Sequence, residues 1–104
     1  MDSYEKALMK ILVEMKCEWC RKKYSTDVLH VHHINGKRDD NRESNLVVLC
    51  PTHHALAHNK DQKRITPDRL RTRVKNRAEW RKKMIRQLIK NGFTKFIDLA
   101  SKEK

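Results

Sequence analysis

The sequence predicts an α+β fold: a small β-β-α core stapled by a metal, preceded by an N-terminal helix and followed by a basic helical tail. Three observations predict it. Cysteine and histidine occur in paired x-x spacings, two short β-branched runs end in turn residues, and apolar residues recur at helical spacing toward both ends.

The elements follow in order. In residues 2 to 16, Tyr4, Leu8, Ile11, Leu12 and Met15 share one helical face, and Asp2 or Ser3 can cap the first turn. Cys17-Glu18-Trp19-Cys20, followed by Arg21, Lys22 and Lys23, reads as a metal knuckle on a turn. Val28 to Ile34 reads as a strand punctuated by Asn35-Gly36, and residues 37 to 44 as a polar loop. Asn45 to Leu49 is the second strand, Cys50-Pro51 turns the chain, and Thr52 to Asn59 is helical. After a polar linker, Thr66-Pro67-Asp68 supplies a capping hydroxyl, a proline at the first helical position and an acid near the positive end of the dipole. One long helix is expected from there to about Lys90, stopped by Asn91-Gly92, with a last short helix over Lys95 to Ala100. The chain is thus divided into residues 1–60, the β-β-α module with its N-terminal helix, and residues 61–104, the basic helical extension.

A chain of 104 residues has room for one domain with little core. Apolar residues (38%) barely outnumber charged ones (37%), so a small globular body shares the sequence with a heavily solvated part. The net charge of +12 is unevenly placed: residues 1–58 carry 9 basic and 8 acidic side chains, residues 59–104 carry 16 and 5. Such a tail attracts polyanions, either nucleic acid or an anionic membrane. No apolar run is long enough to span a bilayer, and the first sixteen residues alternate charged with apolar side chains instead of forming a signal-peptide core. These features predict a soluble, cytoplasmic protein. Three cysteines, two of them in one Cys-x-x-Cys, suit metal ligation in a reducing compartment better than disulfides.

Cys17, Cys20, Cys50 and His53 form Cys-x-x-Cys and Cys-x-x-His pairs about thirty residues apart. Pairs of this kind converge on tetrahedral zinc, and four protein ligands close the shell, so the site is structural. Such a zinc contributes on the order of 10 kcal/mol to folding, which a thin core needs. A second constellation is His32-His33 with Asn45 and His54-x-x-x-His58. Histidines at i and i+4 share a helix face and can chelate one ion. Adjacent strand histidines point to opposite sides, so one can join that ion while the other acts separately. A polarising ion beside a neutral imidazole that accepts a proton from water is what phosphodiester hydrolysis requires.

The stretch LHVHHINGKRDDNRESNLVVLCPTHHALAH, with the upstream Cys-x-x-Cys, resembles the HNH or ββα-metal endonuclease motif, in its zinc-containing subgroup, over residues 17–58. The resemblance implies a DNA phosphodiesterase using magnesium, manganese or another divalent ion. It implies that His33 is the general base, that His32 and His54 are metal ligands, and that Asn45 braces the loop and orients the base. His58 resembles an additional metal ligand of some members. Zinc-containing members usually close the structural site with a second Cys-x-x-Cys, where this chain has Cys50-Pro51-Thr52-His53. His53 and His54 are adjacent, and either could serve the zinc. Spacing favours His53 there, and His54 for catalysis.

His30 is expected to be a half-exposed strand residue without a chemical role, and Asp39, Asp40 and Glu43 to be solvated loop acids. In the tail, Arg69, Arg71, Arg73, Lys75, Arg77, Arg81, Lys82, Lys83 and Arg86 are expected along DNA phosphates, with Trp80 more a packing residue than a base-stacking one. The expected partner is DNA and not a membrane; double-strand cutting by one site would call for a homodimer or a larger phage or restriction assembly. Two other readings are a noncatalytic zinc-bound DNA-binding module and an RNA-directed enzyme. The complete His32, His33, Asn45 and His54 set favours catalysis, because a binding module has no use for a proton acceptor beside a metal ligand.

Overall fold

A computed structural model describes the backbone of residues 1–102 and the side chains of residues 1–92. The chain is a small α+β fold with four helices and one two-stranded antiparallel sheet among the described residues. Helix α1 spans Ser3–Leu12 and is capped by Asp2, whose carboxylate accepts from the Glu5 amide at 2.8 Å. Its Met9 is fully buried, whereas Tyr4 and Ile11 are exposed, so only one edge of the predicted stripe faces the core. The helix ends four residues earlier than its periodicity predicts. Glu14 and Met15 take left-handed backbone conformations (φ 65° and 56°) that turn the chain into the Cys17–Cys20 knuckle.

Strand β1 (His30–His33) pairs with β2 (Leu46–Leu49), His32 opposite Val47 and His33 opposite Leu46. Both are shorter than expected. Val28 lies in a turn whose amide donates to Ser25 O, and Asn45 belongs to a 3-10 turn over Glu43–Asn45. All four β2 residues are buried, which accounts for the unbroken apolar run Leu-Val-Val-Leu: the strand is covered on both faces. Helix α2 (Pro51–His58) begins directly after Cys50, with proline at its first position.

The long helix expected over 66–90 is two helices. Helix α3 (Pro67–Lys75) is capped by Thr66, whose hydroxyl accepts from the Arg69 amide at 3.2 Å. Helix α4 (Glu79–Lys102) starts after a break at residues 76–78 and has a non-helical Gly92 (φ 75°, ψ 170°) at the Asn91-Gly92 stop that the sequence predicts. Helix resumes beyond it, over the stretch where the short Lys95–Ala100 helix is expected. Leu70, Val74, Ile85 and Leu88 from α3 and α4 join Met9, Val13, Leu29 and the β2 residues in one core. No helix among the described residues is long and apolar enough to cross a membrane.

The break places Arg77 inside the molecule, with a side chain only 2% exposed. Its guanidinium donates to both Glu18 oxygens (2.6 and 2.8 Å), to Glu43 Oε2 (3.1 Å), and to the carbonyls of Glu43 (3.2 Å) and Leu46 (2.6 Å). Every N–H of the fork is used. Two expectations are corrected by this. Arg77 is not a solvent-facing cation of the basic face, and Glu43 is not a solvated loop acid, because each satisfies the other away from water. Glu18, inside the Cys-x-x-Cys, also accepts from the Val48 amide at 2.9 Å, so one buried ionic cluster ties the knuckle, the loop and the α3–α4 junction together.

Candidate metal centres

The knuckle and the β2–α2 junction bring the first cluster together. Cys17 and Cys20 flank the knuckle, whose following residue Arg21 has φ 66°; Cys50 follows β2 as the N-cap of α2, and His53 lies in the first turn of α2. The donor atoms of these four residues lie within 4.8 Å of one another, and the group could hold a metal ion such as zinc. Cys50 Sγ and Cys17 Sγ are 3.1 and 3.9 Å from His53 Nδ1. A zinc tetrahedron built from its usual bond lengths has S–N edges of about 3.5 Å, so the donors fit it. All three cysteines are free of disulfides. Burial pushes the Cys17 thiol up to about 11, the shift expected of a buried thiol without a cation beside it; a bound dication reverses it. Burial opposes ionisation at Cys50 too, but is outweighed by hydrogen bonds from the His53 backbone and the Tyr24 hydroxyl, and its pKa is lowered.

The second cluster is made by β1 and α2. His54 and His58, one turn apart, bring their Nε2 atoms to 3.0 Å, and His32 packs edge-on against both rings at centroid distances of 5.3 and 4.9 Å. The three offer donor atoms within 4.8 Å of one another. Three imidazoles leave coordination positions open, which is the donor set of a reactive rather than a closed site. Successive residues of a helix point about 100° apart, so His53 turns to the cysteines and His54 to His32. This assigns the two adjacent histidines to different clusters.

Desolvation, then the neighbouring histidines, lower the His32 and His54 pKa values to about 4. Both rings are therefore neutral at physiological pH, the form that binds metals. Because these values lie below the unfolded value of about 6.5, the stability they contribute is complete above that pH and is lost as pH falls through 4. NMR titration of protein without added divalent ion should show both rings still neutral at about pH 5.5, where ordinary histidines are mostly protonated. Titration near 6.5 would mean that the rings are solvated and apart.

His33 lies beside this trio on the rim of an open groove of about 500 Å³, also lined by His32, His54, His58 and Arg38. Its Nε2 is 2.8 Å from Asn41 Oδ1. An amide oxygen only accepts, so Nε2–H is the donor, and in the neutral ring the lone pair is on Nδ1. Asn45 does not bond His33. Its side chain accepts from the Asn35 amide (3.0 Å) and donates to Asn35 Oδ1 and Asp40 O (both 2.9 Å), while its carbonyl accepts from Ile34 N. It therefore braces the loop, and Asn41 orients the ring. Asp40, gripped by the Arg42 guanidinium at 2.8 Å and by Asn35, is held well below the usual carboxylate range. Nothing in the residue pattern singles out Asn41, or His30, whose ring stacks on His54 at 4.4 Å.

The tail cations are variously engaged. Arg69 donates to Arg64 O, Arg71 pairs with Asp68, Arg73 sits 4.6 Å over the Trp19 ring, and Lys82 pairs with Glu79. Arg81 pairs with Glu14 and lies over Trp80, which is 58% exposed and so is not the packing residue expected. Lys75, Lys83 and Arg86 are exposed, and their side chains make no hydrogen bond or ion pair among the described residues. Comparison with family models, curated proteins and solved structures gives no match to this chain.

Proposed function

We propose that the protein is a metal-dependent endonuclease of the HNH, or ββα-metal, type that hydrolyses DNA phosphodiester bonds. One observation carries this reading: the His32, His54 and His58 donors converge beside His33 in one open groove. A closed structural site has no use for a fourth imidazole with a free nitrogen next to an incomplete ligand set.

In this reading the cysteine cluster would hold a structural zinc, and His32, His54 and His58 would hold a catalytic divalent cation, an all-imidazole donor set suiting zinc or nickel better than magnesium or manganese, which favour oxygen ligands. When bound, it would supply Lewis-acid stabilisation of the charge that develops on the phosphate and the leaving oxygen. His33 Nδ1 takes the proton of the attacking water, with its tautomer fixed by the Asn41 amide. Asn45 keeps the loop that carries Asn41 against β1. Arg38, on the groove rim, faces the anionic strand.

The test is nicking of supercoiled plasmid by zinc-replete protein supplied in turn with nickel, manganese or magnesium. His33→Ala is expected to lower the rate roughly 10²–10⁴-fold, the usual worth of a general base, with the fold and metal content unchanged. Asn41→Ala is expected to lower it by about 10–100-fold, as loss of an orienting outer partner does. Nicking that persists in His33→Ala would sink the reading.

A further inference from the structure

A second concavity of about 470 Å³ lies between the loop and the two tail helices. Arg42 lines it from the loop, Arg71 and Lys75 from α3, and Lys82 and Arg86 from α4. The one acid in its lining, Glu43, is already neutralised by Arg77. Five cations therefore face one space; Arg42, Arg71 and Lys82 are paired with Asp40, Asp68 and Glu79, whereas the exposed Lys75 and Arg86 have no counter-charge among the described residues. Two uncompensated cations in one concavity attract an anion that can face both.

The cleft shares Asn35 with a neighbouring concavity, and that concavity shares His32, His33, Gly36 and His58 with the histidine-lined groove. A phosphodiester strand seated at His33 that passes over Asn35 enters the cation-lined cleft.

We propose that this cleft binds the phosphate backbone of duplex DNA flanking the cut, with Lys75 and Arg86 as its principal contacts. The proposal deepens the nuclease reading by naming where the substrate is gripped away from the chemistry, and rests on that reading only for the identity of the polyanion. It also narrows the nine tail cations to those that face a common space.

The experiment measures binding of a fluorescent DNA duplex to the full chain across a salt series without added magnesium or manganese. It compares wild type, the Lys75→Ala/Arg86→Ala pair and a Lys22→Ala/Lys23→Ala pair of equal charge change outside the cleft, while His33→Ala is assayed by plasmid nicking. All four substituted lysine and arginine side chains are exposed, so the fold is expected to persist. The cleft pair should weaken binding about tenfold or more and lower the slope of log K against log salt by about 2, one counterion per lost phosphate contact. The control pair should bind as wild type does. Equal losses in the two pairs would reduce the effect to bulk charge and overturn the proposal, as would a cleft pair that binds like wild type. Dependence on the cleft pair seen with anionic lipid vesicles or single-stranded RNA, but not with duplex DNA, would also overturn it. If His33→Ala still nicks plasmid while the cleft pair loses binding, the nuclease reading falls and the cleft stands; the reverse pattern removes the cleft alone.

Discussion

Cys50→Ser is expected to abolish cooperative folding, and chelation of a metal held at the Cys17, Cys20, Cys50 and His53 cluster to do the same reversibly. The reason is the distribution of apolar mass. The two strands have four residues each, α2 contains no fully buried residue, and the sheet has only two strands. An isolated two-stranded sheet is marginal in water. Cys17 and Cys50 are core residues at 0% and 1% exposure, so the cluster joins the knuckle to the end of β2 within the core. A filled Cys3His site contributes on the order of 10 kcal/mol, comparable to the whole stability of a small domain. Circular dichroism with a chelator and zinc re-addition, beside metal analysis, checks this. A Cys50→Ser protein that melts cooperatively near the wild-type temperature would show that the cluster is not a structural staple.

Arg77→Ala is expected to cost about 3–5 kcal/mol, the usual penalty for leaving buried charges without their partner. Glu18 and Glu43 have side chains 8% and 7% exposed and would face each other across the vacated space. Glu18→Gln/Glu43→Gln in the same background should recover part of the loss, because neutral amides are cheaper to bury than carboxylates. Urea denaturation of the three proteins gives the comparison. A loss below about 1 kcal/mol for Arg77→Ala is what a solvated surface pair would give, and would contradict the buried arrangement.

The parts legible in the sequence were those encoded by spacing or by local capping. The Cys-x-x-Cys and Cys-x-x-His pairs, the His54-x-x-x-His58 face, the Thr66 cap and the apolar run of β2 each carry their own signature. Arg77 was illegible because it stands among nine arginines and lysines over residues 69–86, and only a break in the helix sends it inward. Its partner Glu18 sits within the knuckle, 59 residues away, where spacing rules speak only of the cysteines. Asn41 was missed for a different reason: its contact with His33 depends on how the loop folds back, and polar loop residues look alike in a sequence. The early end of α1 follows from left-handed Glu14 and Met15, which carry no glycine signal. The His53–His54 choice was only weakly fixed by spacing, and the 100° turn between helical neighbours decides it.

That single turn of α2 has a mechanical corollary. Neighbouring peptide units deliver one imidazole to each of two candidate metal clusters, so the distance between the clusters is set by a helix backbone and not by a flexible linker. A metal loaded on the cysteine-rich cluster would therefore preset the donor geometry of its histidine-only neighbour. Protein kept free of metal at the first cluster should bind a divalent ion at the second more weakly, as calorimetric titration would show.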